Sequence, residues 1–322
     1  MTYSRIVGTG RYLPERIMTN FELEKIVDTT DEWIRTRTGV ERRHVVAEDQ
    51  TTSDMCVEAA KKAIEDAGVD VSDIDLVITG TTSPDLIFPN VSTLIQHRLG
   101  IPACTAFSLE AACTGFIYAL TMADKFIRLG DAKCALVIGA ECITKLMDWK
   151  DRNTCVLFGD GAGAVIVKPS EEPGILSTHL GADGQYRDLL YYPVGASNQL
   201  AKAGTDEAAI QMTGSEVFKV AVKTLGGIAA ETLEKAGIDK DELDWLIPHQ
   251  ANIRIIQATA KRLDLPMEKV ILTVQDHGNT SAASVPMALD VGIRDGRVKK
   301  GQLVLMEAFG GGFTWGSVLM RL

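Results

Sequence analysis

Short apolar runs alternate with amphipathic stretches along almost the whole chain. Residues 4–10 predict a first strand. The apolar runs at 74–79, 104–109, 134–139 and 303–306 read as further strands, as do 245–248 and 270–272. Between them lie patterns of helical period. One helix opens at Thr19 or Asn20 and carries Leu23, Ile26 and Val27. Another spans 53–66, with Met55, Ala59, Ala60 and Ile64 on one face. Others span 91–99, ended by Gly100, then 214–236 and 252–263. Strands apolar on both faces and alternating with helices require a sheet covered on both sides. The pattern predicts an α/β protein.

The composition turns polar at Ser170-Glu171-Glu172-Pro173, a joint that divides the chain into halves 1–170 and 171–322. The second half repeats the first at low resolution. In the first, strand 104–109 hands over at Ala111-Ala112-Cys113-Thr114-Gly115-Phe116 to a helix continuing through Met122, Phe126 and Ile127. In the second, Gly278-Asn279-Thr280-Ser281-Ala282-Ala283-Ser284 opens a helix carrying Met287, Leu289 and Ile293. Related halves bring both helix mouths toward one crevice. Gly159-Asp160-Gly161-Ala162-Gly163-Ala164 formally fits a dinucleotide fingerprint, which needs a helix after it. Val165-Ile166-Val167 and Pro169 follow instead. The prediction there is a strand at 154–158, a glycine turn and a second strand at 165–167.

Composition narrows the class. The net charge of −10 argues against generic nucleic-acid binding. No apolar run approaches the roughly 20 residues that span a bilayer, and the opening residues show no apolar signal core, so a cytoplasmic protein is expected. The 6 cysteines (Cys56, Cys104, Cys113, Cys134, Cys142 and Cys155) have neither metal-ligand nor disulfide-framework spacing. They read as reduced thiols.

Candidate chemistry gathers at loop and helix-mouth positions. Cys113 stands where free N–H groups and the helix dipole favour a thiolate, lowering its expected pKa; a buried, inert cysteine at a tight turn fits the same stretch. Of the 5 histidines, His44, His97 and His179 read as solvated or capping and His277 as structural. His249 follows Trp245-Leu246-Ile247-Pro248 and emerges at a strand's C-terminal end, the functional edge of an α/β sheet. A Cys with a His partner suits acyl transfer, and a third group such as Asn279 orients them or binds an oxyanion. Phe309-Gly310-Gly311-Gly312-Phe313 fits an oxyanion hole or a tight bend between strands. Trp33 beside Arg35 and Arg37 fits either a solvated turn or a clamp on a purine ring.

Together these stretches resemble the thiolase superfamily, and within it the β-ketoacyl-acyl-carrier-protein synthase III family. The resemblance runs over essentially the whole chain. It rests on Thr30-Asp31-Glu32-Trp33-Ile34 with Thr36-Arg37-Thr38-Gly39, the Cys113 stretch, Phe158 to Ala164, His249-Gln250-Ala251-Asn252, the Asn279 stretch and Phe309 to Gly316. Asn279 where elongating ketosynthases carry a second His, and no cysteine after Cys155, separate it from the elongating and thiolase branches. Ser108 departs from the Asp that members often carry there.

The resemblance implies a thiolase-like fold of two related α/β halves in αβαβα layers. It also implies decarboxylative condensation of an acyl-CoA primer with malonyl-acyl-carrier protein, initiating fatty-acid synthesis. Cys113 would take the acyl group, with the N–H groups of Cys113 and Gly311 as oxyanion hole. His249 and Asn279 would hold the malonyl thioester, and Phe309 would sit beside its carboxylate. Phe158 would line the site, and Phe88 would close the acyl pocket of a partner in a homodimer. Trp33 and Arg152 would sandwich the CoA adenine, with Arg37 near its phosphates. Lys219, Arg254, Lys261 and Arg262 would dock the acidic carrier protein. No metal or cofactor is implied, acyl-CoA being a substrate, and neither nucleic acid nor membrane insertion enters. A specialised condensing or acyl-transfer enzyme of secondary metabolism, a thiol acyl hydrolase and a non-catalytic acyl-CoA-binding module are the competing readings.

Overall fold

A computed structural model of the chain describes residues 2–203, 205 and 207–322. The first of its two larger sheets joins β1 (Tyr3–Tyr12), β2 (Leu76–Gly80), β3 (Thr105–Leu109), β4 (Ala135–Glu141) and β5 (Gly161–Ser170). Their order is β1-β5-β4-β2-β3, with β2 parallel to β3 and β4, and β5 antiparallel to β4 and β1. The second joins β6 (Ile175–Ala182), β7 (Trp245–Pro248), β8 (Leu303–Gly310) and β9 (Thr314–Arg321) in the order β7-β8-β9-β6. Here β7 is parallel to β8, and β9 is antiparallel to β8 and β6. The second sheet therefore repeats β2-β4-β5-β1 strand for strand. The counterpart of β3 shrinks to a lone parallel bridge between Leu246 and Val270.

The main helices are α1 (Asp31–Thr38), α2 (Thr52–Ala67), α3 (Val91–Leu99), α4 (Gly115–Leu129), α5 (Gly214–Ala236), α6 (Ile253–Arg262) and α7 (Ser284–Arg294). On the outer face of the first sheet, Met55, Ala59 and Ile95 of α2 and α3 meet Val77, Leu136 and Ile138. Between the sheets, Phe116, Leu120 and Leu289 of α4 and α7 meet Ile78, Val137, Met306 and Val318. Leu233 of α5 and Ile256 of α6 close the outer face of the second sheet against Leu246, Leu305 and Leu319. The layers run αβαβα. Each large side chain so buried contributes about 1.5–3 kcal/mol, so this apolar packing dominates the fold. No helix among the described residues is long and apolar enough to cross a membrane.

Several local readings of the sequence give way to tertiary context. The helix after Thr19 is only Asn20–Leu23, preceded by a short strand, Arg16–Thr19, that pairs antiparallel with Arg42–Val45. The run at 154–158 is no strand: Asp151 caps a helical turn, Arg152–Cys155, and Phe158 makes a single bridge to Asn279. The glycine run is no turn either. Gly163 lies inside β5, opposite Arg11 on one side and Gly139 on the other. Strand 270–272 is reduced to its one bridge residue. β3 is half-buried rather than buried, because it pairs only with β2 and forms the sheet's edge.

The central helices lie close on the strand ends. A Cβ on Gly139 of β4 would fall 2.2 Å from the carbonyl oxygen of Ala282, in the turn before α7. Gly139 is held in β4 by its pairing with Gly80 and Gly163, and Ala282 is fully buried, so neither backbone can easily retreat. Gly139→Ala is therefore expected to destabilise the protein by about 2–3 kcal/mol in chemical denaturation. An unchanged midpoint would show that the α7 mouth is free to move.

Candidate active site

Cys113 lies in a single helical turn, Ala112–Thr114, that leads into α4. Ala112 takes a left-handed conformation, φ +46°, and donates its N–H to Glu110 Oε1 at 2.8 Å. The second half uses the same construction. Ser281, at φ +48°, opens the turn Ser281–Ala283 before α7 and donates its N–H to Asn279 Oδ1 at 2.9 Å. Asn279 thus corresponds to Glu110, and Ser281 to Ala112. An N–H only donates, so the side-chain atom facing Ser281 is the amide oxygen. The Asn279 NH₂ is left for the cavity. The backbone of Asn279 is held by the first half: its N–H donates to Leu157 O at 2.8 Å, and its carbonyl accepts from Gly159 at 3.0 Å.

His249 follows β7, and its N–H donates to the Glu307 carbonyl of β8 at 2.8 Å. Its Nδ1 lies 2.6 Å from Ser284 Oγ, which also accepts the Gln250 N–H at 3.4 Å. The Ser284 hydrogen is then free to go to Nδ1. That tautomer places the ring proton on Nε2, the edge not held by Ser284.

Charge states follow from burial. Desolvation pushes the His249 pKa down to about 3, so the ring is neutral at physiological pH. It pushes the Cys113 thiol up to about 12, against the lowered value the helix position suggested. A rise of that size corresponds to about 4 kcal/mol, more than the roughly 1–2 kcal/mol a helix terminus supplies. Burial therefore favours a thiol beside a neutral imidazole over a thiolate beside an imidazolium.

Two cavities meet at the cysteine. One, of about 820 Å³, is lined by Cys113, His249, Asn279, Phe158 and Phe309, and also by Trp33, Arg37, Arg152, Lys219 and Arg254. The other, of about 440 Å³, shares Cys113, Phe158 and Leu190 with the first and is also lined by Ile143, Leu146, Ile210, Glu110 and Gly311 among others. Gly310 packs directly on Cys113, since a Cβ there would lie 2.6 Å from Cys113 N.

The remaining predicted residues fall in three places. The guanidinium groups of Arg152 and Arg37 lie 4.8 and 5.9 Å from the Trp33 ring centre. Arg152 must withdraw by a ring's thickness to admit a purine between itself and Trp33. The segment itself is a helix, α1, capped by Thr30, not a solvated turn. Arg254 covers the Phe218 ring at 5.5 Å, and Lys219 pairs with Glu216 at 2.8 Å. Lys261 and Arg262, in the last turn of α6, do not line the cavity; the Arg262 stem lies against α5 beside Gly226. Phe88 stays out of both cavities and is 82% exposed, next to Leu86 and Ile87. Ser284, which orients His249, was not singled out in the sequence; its place at the mouth of α7 was the available signal. Among the described residues, no three His, Cys, Asp or Glu side chains cluster to hold a metal.

A Cys, a neutral His and an Asn converging from two α/β halves define a condensing enzyme of thiolase-like fold. The family "3-Oxoacyl-[acyl-carrier-protein (ACP)] synthase III" matches residues 107–184, and its C-terminal counterpart matches residues 233–322. The β-ketoacyl-[acyl-carrier-protein] synthase III of Thioalkalivibrio sulfidiphilus is 61% identical over 321 residues, covering 100% of both chains. The crystal structure of 3-oxoacyl-[acyl-carrier-protein] synthase III from Aquifex aeolicus superposes with a TM-score of 0.93 at 48% identity, over 99% of this chain and 100% of that one. The priming β-ketosynthase of the R1128 polyketide pathway superposes with a TM-score of 0.95 at 39% identity, over 99% and 96%. The chain belongs to the β-ketoacyl-acyl-carrier-protein synthase III family.

The charge states have a direct test. Alkylation of Cys113 by iodoacetamide is expected to rise about tenfold per pH unit from pH 7 to 10 without a plateau. The His249 ring is expected to show no NMR titration between pH 5 and 9. A plateau in alkylation near pH 7 would instead mark an ion pair.

Proposed function

We propose that Cys113, His249 and Asn279 divide the two half-reactions of a decarboxylative condensation. The enzyme is an acyltransferase that condenses an acyl-CoA primer with malonyl-acyl-carrier protein, giving 3-oxoacyl-carrier protein in the initiation of fatty-acid synthesis. In the first half-reaction the Cys113 thiol gives its proton to solvent and the sulfur attacks the acyl thioester carbonyl, displacing CoA from the acyl carbon. The N–H groups of Cys113 and Gly311 take up the developing oxyanion, and CoA leaves as a thiolate that solvent protonates. In the second, His249 Nε2–H and the Asn279 NH₂ donate to the malonyl thioester oxygen. The C–C bond to the carboxylate breaks, CO₂ departs and the electron pair becomes an enolate. That carbon attacks acyl-Cys113 and releases the Cys113 thiolate, which regains a proton.

One observation carries this reading: a neutral imidazole and an amide with its oxygen already engaged line the cavity of a buried thiol. Neutral donors in a dry site stabilise an enolate without first having to give up a proton, and each such donor is worth about 3–4 kcal/mol. Phe309 makes the carboxylate side of the cavity apolar, which favours loss of charge as CO₂.

The larger cavity receives the pantetheine arm and the smaller one the acyl group. Trp33, Arg37 and Arg152 hold the CoA nucleotide at the rim of the larger cavity. Lys219 and Arg254 stand at the same rim, where an acidic carrier protein would dock; Lys261 and Arg262 extend that face along α6. The half-exposed edge of β3 and the exposed Leu86, Ile87 and Phe88 support a homodimer in which Phe88 closes the partner's acyl pocket. Residues 1–170 and 171–322 form the two thiolase-like halves, the first bringing the nucleophile and the second His249 and Asn279. The protein works in the cytoplasm, without metal or cofactor.

Intact-protein mass spectrometry after incubation with a panel of acyl-CoAs, and then malonyl-carrier protein, tests the reaction and names the primer. A stoichiometric adduct on Cys113 discharged as 3-oxoacyl product is expected; an adduct released only by water would identify a hydrolase. Asn279→Ala is expected to keep acylation within about twofold while condensation falls at least about a hundredfold. Equal loss of both steps would refute this division of roles. Trp33→Ala is expected to raise KM for acyl-CoA about tenfold with kcat nearly unchanged, the signature of lost ground-state binding. A fall in kcat at constant KM would place Trp33 elsewhere.

A further inference from the structure

Glu141 ends β4 fully buried beneath both helix mouths. Its carboxylate accepts from the Thr82 N–H at 3.0 Å, the Thr82 hydroxyl at 2.9 Å, the Ser83 hydroxyl at 2.6 Å and the Ser281 hydroxyl at 3.2 Å. A weaker contact, 3.4 Å, comes from Thr81 Oγ1. These donors are hydroxyls and an amide. Burying a carboxylate on such partners costs stability that an apolar side chain of similar volume would not, and burial lifts the Glu141 pKa to about 7.

Ser281 is costly as well. Its φ of +48° is one that glycine adopts freely and other L-residues adopt at about 1–2 kcal/mol. Ala112 holds the matching conformation in the first half without any hydroxyl, so the turn itself does not need one. The Ser281 hydroxyl has a different task. It reaches Glu141, while the N–H of the same residue grips the Asn279 oxygen. Ser281 also faces the Cys113 thiol and lines the smaller cavity with it.

We propose that Ser281, anchored by the Glu141 carboxylate, is a positioning residue that locks the Asn279 amide with its NH₂ toward the malonyl thioester. The role rests on the reading of Asn279 as a donor in decarboxylation. Glu141 ties the turn to the end of β4, Ser281 N–H fixes which way the amide points, and the β5 side of the sheet holds the Asn279 backbone through Leu157 and Gly159. An amide free to rotate would present oxygen to the thioester oxygen for part of the time, repelling the enolate it should stabilise.

The experiment measures two rates separately, acylation of Cys113 by acyl-CoA and CO₂ release from malonyl-carrier protein. The variants are Ser281→Gly, Glu141→Gln, Asn279→Ala and the double variant Ser281→Gly/Asn279→Ala. Ser281→Gly and Glu141→Gln are each expected to slow CO₂ release about tenfold in kcat, the size of one lost hydrogen bond to a charged group. KM for malonyl-carrier protein should stay within about twofold, and acylation, which Ser281 touches through the thiol it faces, should fall clearly less than CO₂ release. In the Asn279→Ala background, Ser281→Gly should cost nothing further, because the group it positions is gone. Full additional loss in that background, or acylation slowed as much as CO₂ release, overturns the proposal. An Asn279→Ala variant with undiminished CO₂ release defeats the underlying reading instead, a result visible in the single variant. Glycine relaxes the backbone at position 281, so Ser281→Gly carries the test even where Glu141→Gln does not fold.

Discussion

The centre of the molecule depends on two left-handed residues, Ala112 and Ser281, each set immediately before a buried helix. A left-handed residue turns the chain sharply enough to end a strand connection and begin a helix that runs back between the sheets. Each costs about 1–2 kcal/mol, offset by a side-chain oxygen two residues earlier and by the packing of α4 and α7. Gly139 lets the α7 turn press onto β4, and Gly80 of β2 lets Gly115 at the start of α4 do the same. Residues far apart in the chain are thereby held around one small space by the same interactions that build the core.

Desolvation then decides how that space behaves chemically. A cysteine at a helix mouth invites the expectation of a thiolate, yet burial outweighs the dipole and leaves a thiol. The same burial strips His249 of basicity and makes it a dependable donor. Glu141 shows the same effect on an acid, burial raising its pKa to about 7 even within a ring of hydroxyl and amide donors. The charge states of the site are properties of the enclosure more than of the residues taken singly.

Much of this was readable in the sequence. Helices α3 and α5 and strand β7 stand where their periodicity and terminal signals put them, because each is long or strongly apolar and bounded by Gly or Pro. Cys113, His249 and Asn279 stood out as polar groups at handover points of a repeated pattern. The failures have a common cause. The runs at 154–158 and 270–272 are apolar because they are buried by distant parts of the chain, and local pattern cannot tell such burial from a strand. The glycines of β5 looked like a turn because their neighbours in the sheet, Arg11 and Gly139, are remote in sequence. The partnership of Ser284 with His249, and of Ser281 with Asn279 and Glu141, depends on hydrogen-bond direction across the two halves. Residue type alone does not encode it.

The two cavities meeting at Cys113 imply an interval in the life of the enzyme. In the proposed cycle the spent CoA arm withdraws from the larger cavity before a carrier-protein arm takes its place, an interval in which that cavity is open to water. An acyl thioester then faces that water with an imidazole alongside. With a pKa of about 3, the His249 ring is a feeble base and draws almost no proton from the water. The enclosure that makes the ring a donor for the enolate therefore also guards the acyl-enzyme while it waits. On the proposed roles, burying one histidine favours carbon over oxygen as the attacking atom.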